Sequence, residues 1–351
     1  MSIDTTPPKP VTSMSDAEKT AHIKKVVLAA GEDLRERHPW LRRQNAIGAS
    51  ILAGSLLGML ACGWLYYIGA LPAWACIPLV ALFASFTHEL EHDLIHLMYF
   101  RKNKVAHNLM LALAWLARPS TINPWIRRHM HLHHHKHSGT ESDLEERAIT
   151  NGEEWGIRRF LMTGDGFLSI LLRLQRAPTA KLRLRMVVRG LIAYFPLGWF
   201  HWGLWWFFLS FHAANGAAAL AGIEPGWSAG TLAFVDFTNF MVVVLIGPNV
   251  LRSFCLHFVS SNMHYFGDIE DGNVMQQTQV FNPWWLAPFQ LFCFNFGSTH
   301  AIHHFVVKEP FYVRQATAGT AHKVMREMGV RFNDFGTFRR ANRFRERAQN
   351  A

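Results

Sequence analysis

The sequence predicts an all-α integral membrane protein, with four transmembrane helices in two hairpins and a cytoplasmic helical cap carrying a set of histidines. Three observations predict it. Half of the 351 residues are hydrophobic and only 17% are charged. Residues 44–100 and 190–251 contain no Lys or Arg, although the chain holds 35 of them and carries a formal charge of +10. Twelve of the twenty histidines fall in or beside three short clusters. This composition excludes intrinsic disorder, a collagen-like repeat and a small disulfide scaffold. It also disfavours nucleic-acid binding, because the basic residues border apolar segments instead of forming one patch.

Taken in order, residues 1–45 read as a cytoplasmic N-terminal tail with no apolar signal-peptide core. Ser15-Asp-Ala-Glu18 has the spacing of a capping box and opens a charged helix that lies either on the membrane surface or in solvent. A span needs about 20 predominantly apolar residues. Ala46–Ile68 and Leu71–His96 meet that length, separated by a turn at Gly69 and Pro72. Val105–Ala117 is apolar but too short to cross. After a polar stretch, Val187–Phe211 and Thr231–Phe258 supply two more spans. Asn282–Gly297 is aromatic and interrupted by Pro283 and Pro288, as an interfacial segment would be. The membrane domain therefore extends over 46–312, and 313–351 reads as a basic cytoplasmic tail. Cys62, Cys76, Cys255 and Cys293 sit in apolar surroundings without CxxC spacing and read as buried hydrophobes.

Orientation follows from the cations. Eight Lys/Arg precede residue 44, sixteen lie in 101–189 and ten in 259–351, with Arg252 at the inner end of the last span. The positive-inside rule then places both termini and the central loop in the cytoplasm. In a bacterium this would be a multi-pass protein of the inner membrane.

The histidines converge on that same side. His88, His92 and His96 repeat every four residues, so they share one helical face near the cytoplasmic end of the second span. His129, His131, His133, His134, His135 and His137 form the second cluster, and His300, His303 and His304 the third. His264 follows the fourth span. Ionisable side chains at membrane depth are costly and mark function. Neutral imidazole suits iron, zinc and copper, and eight or nine such ligands exceed what one ion holds, so two ions share the set. His201, His212 and His257, standing alone, read as structural, and His107 and His322 as incidental.

The patterns His88-x-x-x-His92, His131-x-x-His134-His135 and His300-x-x-His303-His304 resemble the three histidine boxes of the membrane fatty acid desaturase superfamily, over roughly residues 46–312. The resemblance implies two iron ions held by His88, His92, His131, His134, His135, His300, His303 and His304, with His264 as the additional ligand that commonly precedes the third box. It further implies O2 as co-substrate, removal of hydrogens from a lipid acyl chain, and electrons from an external ferredoxin- or cytochrome-type protein with its reductase. The second box also reads in the register His129-x-x-x-His133-His134. Arg128 before the cluster and Ser138-Gly139-Thr140 with Asp143 after it favour 131/134/135. His96, His129, His133, His137 and Asn262 are additional or supporting candidates. Asp143 and Asp268 are candidates to orient ligand imidazoles, or equally to cap loops.

Two rival activities remain open on the sequence. The same iron site supports hydroxylation of a lipid, alkane or terpenoid. His88-Glu89-Leu90-Glu91-His92 also satisfies HExxH, the zinc metallopeptidase motif with Glu89 as general base, but that reading leaves the other two boxes unused.

Overall fold

The structure is a computed structural model and describes residues 10–345. Among the described residues it is all-helical: the extended backbone amounts to two isolated bridges, His264 with Thr278 and Val280 with Phe332. Of the expected N-terminal tail, residues 1–9 lie outside the described residues. Helix α1 (Asp16–Arg37) begins at the capping box, with Ser15 and Glu18 satisfying each other's backbone amides.

Helices α2 (Gln44–Tyr67) and α3 (Ala73–Ile95) are joined by residues 68–72 and pack against each other. Gly69, at φ +75°, closes α2, and the amides of Ala70 and Leu71 reach back to Leu65 O at 2.9 and 3.1 Å. Gly48 and Gly58 lie directly under the rings of Tyr99 and Phe83, so any side chain there would collide with an aromatic face. Helix α4 (Lys104–Leu116) follows, capped by the Asn103 side chain. Helix α5 (Pro124–His137) is capped by Asn123 and carries the second histidine cluster. Short helices α6 (Leu144–Ile149), α7 (Ile157–Gly164) and α8 (Gly166–Arg173) fill the polar region.

The third apolar stretch divides differently from the sequence reading of 187–211. Pro196 cannot continue a helix, so α9 (Ala180–Tyr194) stops and α10 (Leu197–Leu220) starts anew. The last apolar stretch is one continuous rod: α11 (Ala229–Met241), a π-helical turn at Val242–Ile246, and α12 (Gly247–Met263). Gly247-Pro248 accounts for the π turn. Pro248 has no amide hydrogen for the α-helical bond, and a Cβ on residue 247 would come within 2.7 Å of Val242 O.

Among the described residues, three helices are long and apolar enough to cross a membrane: Gln44–Tyr67, Ala73–Ile95 and Ala229–Met263. Helix α10 has 24 residues, but His201, His212 and its tryptophans lower its mean hydropathy and keep it out of that set.

Beyond the rod come α13 (Val274–Gln277), α14 (Ala287–Phe292), α15 (Phe296–Phe305) and α16 (Phe311–Glu327). Residues 313–345, which charge alone marks as a tail, are folded. Val313, Thr317, Ala321, Val324 and Met325 form a buried stripe at helical spacing, and α16 packs on α1 and α15. The apolar core built by α1, α12, α15 and α16 includes Ile23, Val27, Val259, Ile302 and Met325. A second cluster, with Leu90, Leu94, Tyr99, Leu111 and Phe311, seats the polar end of α3. The first core takes in Ala301 and Ile302, between His300 and His303 in the chain, and the second takes in Leu90 and Leu94, before and after His92.

Candidate metal centre

Nine imidazoles gather into two groups, each with its ligand nitrogens within 4.8 Å of one another. The first holds His92, His96, His131, His135 and His303; the second holds His134, His264, His300 and His304. Helical period explains the partition. On α5, His131 and His135 are one turn apart and share a face, while His134, at i+3, looks to the other group. On α15 the arrangement is mirrored, with His300 and His304 in the second group and His303 in the first. Helix α3 contributes only to the first group, and the start of the loop after α12 supplies His264 to the second.

The hydrogen bonds behind the rings set their tautomers. His131 Nδ1 donates to Glu145 Oε2 at 2.8 Å, and His134 Nδ1 donates to Asp143 Oδ2 at 2.8 Å. His264 Nδ1 donates to Ser260 O at 2.9 Å, and His304 Nδ1 to Gln277 Oε1 at 2.9 Å. Each of these acceptors demands a hydrogen on Nδ1, and in His131, His264 and His304 that leaves Nε2 as a bare lone pair. Those lone pairs face one another or other ring nitrogens. His131 Nε2 stands 2.9 Å from His96 Nε2 and 3.1 Å from His135 Nε2, and His304 Nε2 is 3.3 Å from His300 Nε2. The Nε2 atoms of His92, His134 and His264 are buried with no hydrogen-bond partner at all. Converging acceptors without donors are unfavourable unless a cation lies between them, and this is the observation by which the residues fit a pair of metal ions.

Electrostatics agree. Burial, reinforced by neighbouring imidazoles, drives the pKa values of His131, His135, His300, His303 and His304 well below the ordinary histidine range, and takes His96 to about 2 and His264 to about 3. These rings are therefore neutral, the form that binds metal. His134 is the exception. Burial alone would lower it, but the Asp143 carboxylate, with Glu146 and Glu145 nearby, carries it up to about 9.

The structure places the sequence candidates as follows. His88 stands in neither group: its Nδ1 is 3.3 Å from Arg118 Nη1 and its Nε2 is unpartnered. His96 takes a place in the first group beside His92. His129 and His133 are exposed, His133 bonding Ser142 Oγ at 3.0 Å, and His137 pairs with Asp271 at 3.1 Å. Asp143 does orient a ligand-type imidazole and also caps α6. Asp268 instead receives the amides of Phe344 and Arg345, and Asn262 bonds Trp155 and the Phe258 carbonyl. Glu145, Gln277 and Ser260 were not singled out from sequence. Glu145 had a local signal in the acidic run Asp143-Leu-Glu-Glu146 after the second cluster; Gln277 had none, because it reaches His304 only through tertiary packing.

Ion pairs hold the box helices in place. Asp93, next to His92 on α3, accepts from Arg314 Nη2 at 3.0 Å, the Phe311 amide at 2.9 Å and Tyr99 Oη at 3.1 Å. That fixes α16 to α3. Glu91 binds Arg118 and, at 3.0 Å, Arg127, which also reaches Glu145 at 3.1 Å.

Residues 68–336 match the family model described as fatty acid desaturase. The chain belongs to the fatty acid desaturase family. No curated protein matches it. Family membership makes this desaturase-family chain an oxidoreductase and a membrane protein that acts on lipid, and its clustered imidazoles are compatible with a metal cofactor.

A cavity of about 90 Å³ opens beside the groups, with His92, His131, His134 and His300 in its wall. The HExxH peptidase alternative finds no support in this arrangement. His88 and His92 do not share a metal group, and the Glu89 carboxylate lies 3.7 Å from Arg314 Nη2.

Proposed function

We propose that the protein is a membrane-bound di-iron oxidoreductase that uses O2 and two electrons to desaturate a fatty acyl chain. The convergence of imidazole nitrogens from four separate segments into two groups is the observation that carries this reading. One iron is held by His92, His96, His131, His135 and His303, the other by His134, His264, His300 and His304. This set replaces His88 with His96 in the ligand list that the resemblance implies.

Bound iron supplies the oxidising power that an unactivated C–H bond requires. The overall change converts CH2–CH2, O2, two electrons and two protons into CH=CH and two waters. The chain's own residues hold His131, His264 and His304 in one neutral tautomer, through Glu145, Ser260 and Gln277, while Asp143 orients the His134 ring. Hydroxylation, which inserts one oxygen and forms one water, is the alternative outcome on the same ligand set.

The topology that suits this site has four spans in two hairpins, α2 with α3 and α10 with α11–α12. Both termini and the histidine cap face the cytoplasm, where the cation-rich loops lie. Electrons arrive from a separate ferredoxin- or cytochrome-type protein and its reductase.

Elemental analysis of the detergent-purified protein, followed by lipid analysis of cells expressing it, tests the proposal. Two irons per chain and a new double bond, both lost in His134→Ala and His303→Ala, are expected. One zinc without iron, or unchanged lipids with a fully iron-loaded protein, would overturn it.

A further inference from the structure

The cavity beside the histidines contains a cation that, among the described residues, forms no ion pair with a carboxylate. Arg252, in the last apolar rod, is 1% exposed and lines the cavity wall. Among the described residues its polar partners are all neutral: Asn249 Oδ1 at 3.3 Å, Ser120 Oγ at 3.3 Å and Ser253 Oγ at 3.0 Å. Its Nη1 has no partner. A buried guanidinium without a counter-ion is expensive, the more so at membrane depth.

The neighbouring charges do not offset it. Arg118 and Arg127 are both engaged by Glu91, and Arg127 by Glu145 as well, so three arginines face two carboxylates. Glu146, also in the wall, is turned to other partners: its Oε2 accepts from Asn151 Nδ2 at 3.1 Å and lies 3.4 Å from His264 Nδ1. His88 and Ser120 add polar atoms to the same wall, the former with an unpartnered Nε2. A site built only for the middle of a hydrocarbon chain would be apolar.

We propose that Arg252 binds the carboxylate of an acidic lipid substrate inside this cavity, so that the oxidised carbon lies among the first few from the head group. The volume sets the reach. About 90 Å³ is less than the ~150 Å³ that accommodates one benzene ring, so a carboxylate and a few carbons fit between Arg252 and the histidines while the remaining chain lies outside. The inference about the oxidised carbon rests on the oxidase reading above; the binding does not.

The test is equilibrium binding of radiolabelled dodecanoate to the purified protein in detergent, with dodecan-1-ol as competitor. Dodecanoate is expected to bind at least about tenfold tighter than the alcohol. Arg252→Gln should lose at least about tenfold of that affinity, Arg252→Lys should recover part of it, and Arg101→Gln, which removes an exposed cation, should change nothing. Equal binding of acid and alcohol to the wild type overturns the proposal even if Arg252→Gln does not fold. So does full affinity in a folded Arg252→Gln protein. Iron content of the same preparations separates the two claims: head-group selectivity in an iron-free, inactive protein sinks the oxidase reading and leaves the carboxylate site standing. In active protein, mass spectrometry of the product should place the modification near the head, and a mid-chain product refutes the positional claim.

Discussion

Asp143→Asn separates two effects that the structure combines in one carboxylate. Asp143 Oδ2 accepts from His134 Nδ1 at 2.8 Å and from the Gly139 amide at 2.9 Å. By orienting the ring it should favour metal, and losing such a partner typically costs tenfold to a hundredfold in affinity. Yet the same charge raises His134 to about 9, so at pH 7 a proton occupies the ligand nitrogen system and must leave before metal binds. Two pH units between 7 and 9 correspond to about 2.7 kcal/mol, or about a hundredfold in affinity. The asparagine removes the largest raising influence, so it escapes this competition while losing orientation. The two variants should therefore bind Co2+ within about tenfold of each other at pH 7. At pH 9, where the proton cost has gone, the wild type should be tighter by tenfold to a hundredfold. Chelator competition followed by Co2+ absorbance measures both. A penalty that is the same at pH 7 and pH 9 would refute the protonation argument, and no penalty at pH 9 would refute the orienting role.

Three further outcomes are expected. His96→Ala should lose metal from the first group while His88→Ala keeps both ions, measured as metal per chain; the reverse result would restore the register implied by the sequence motif. Gly297→Ala would drive a methyl against Phe281 O and the Gln290 side chain at the start of α15, three residues before His300, and should cost about 1–3 kcal/mol by overpacking, read as a lower thermal midpoint together with reduced metal occupancy. Burial alone would raise the Asp334 carboxyl, but hydrogen bonds from Arg340 and Tyr265, with Arg331 alongside, hold it below its ordinary value. A depressed carboxyl stabilises above its unfolded pKa of about 3.9 and loses that contribution as pH falls through the folded value, so Asp334→Asn should lower the thermal midpoint at pH 7 and the difference should shrink steadily as the medium is made more acidic than the unfolded pKa.

The histidine pattern was readable because helical period is encoded locally. Spacings of three and four place imidazoles on adjoining faces whatever the surroundings. Which of His88 and His96 stands with the other imidazoles was not, since His92 has a histidine one turn away on either side and only the packing of the α3 terminus against α5 brings His96 into the first group. The four apolar stretches are visible as runs with few or no cations, but hydropathy averaged across Pro196 hides the break that divides the third into α9 and α10. Helix α16 was concealed by Arg314, Lys323 and Arg326; its apolar stripe lay in plain sequence, and Arg314 proved to be an internal counter-ion for Asp93. Glu145 and Gln277 depend on contacts across the fold, for which one sequence holds no periodic signal.

The division of each histidine helix between the two groups has a consequence for assembly of the cofactor. Helices α5 and α15 each serve both ions, so neither can be clamped by the first ion to arrive without aligning ligands for the second. Loading should then be cooperative, the ordering of the helices being paid once and used twice. Native mass spectra taken during titration should be dominated by empty and doubly loaded protein, with the singly loaded species scarce at every point.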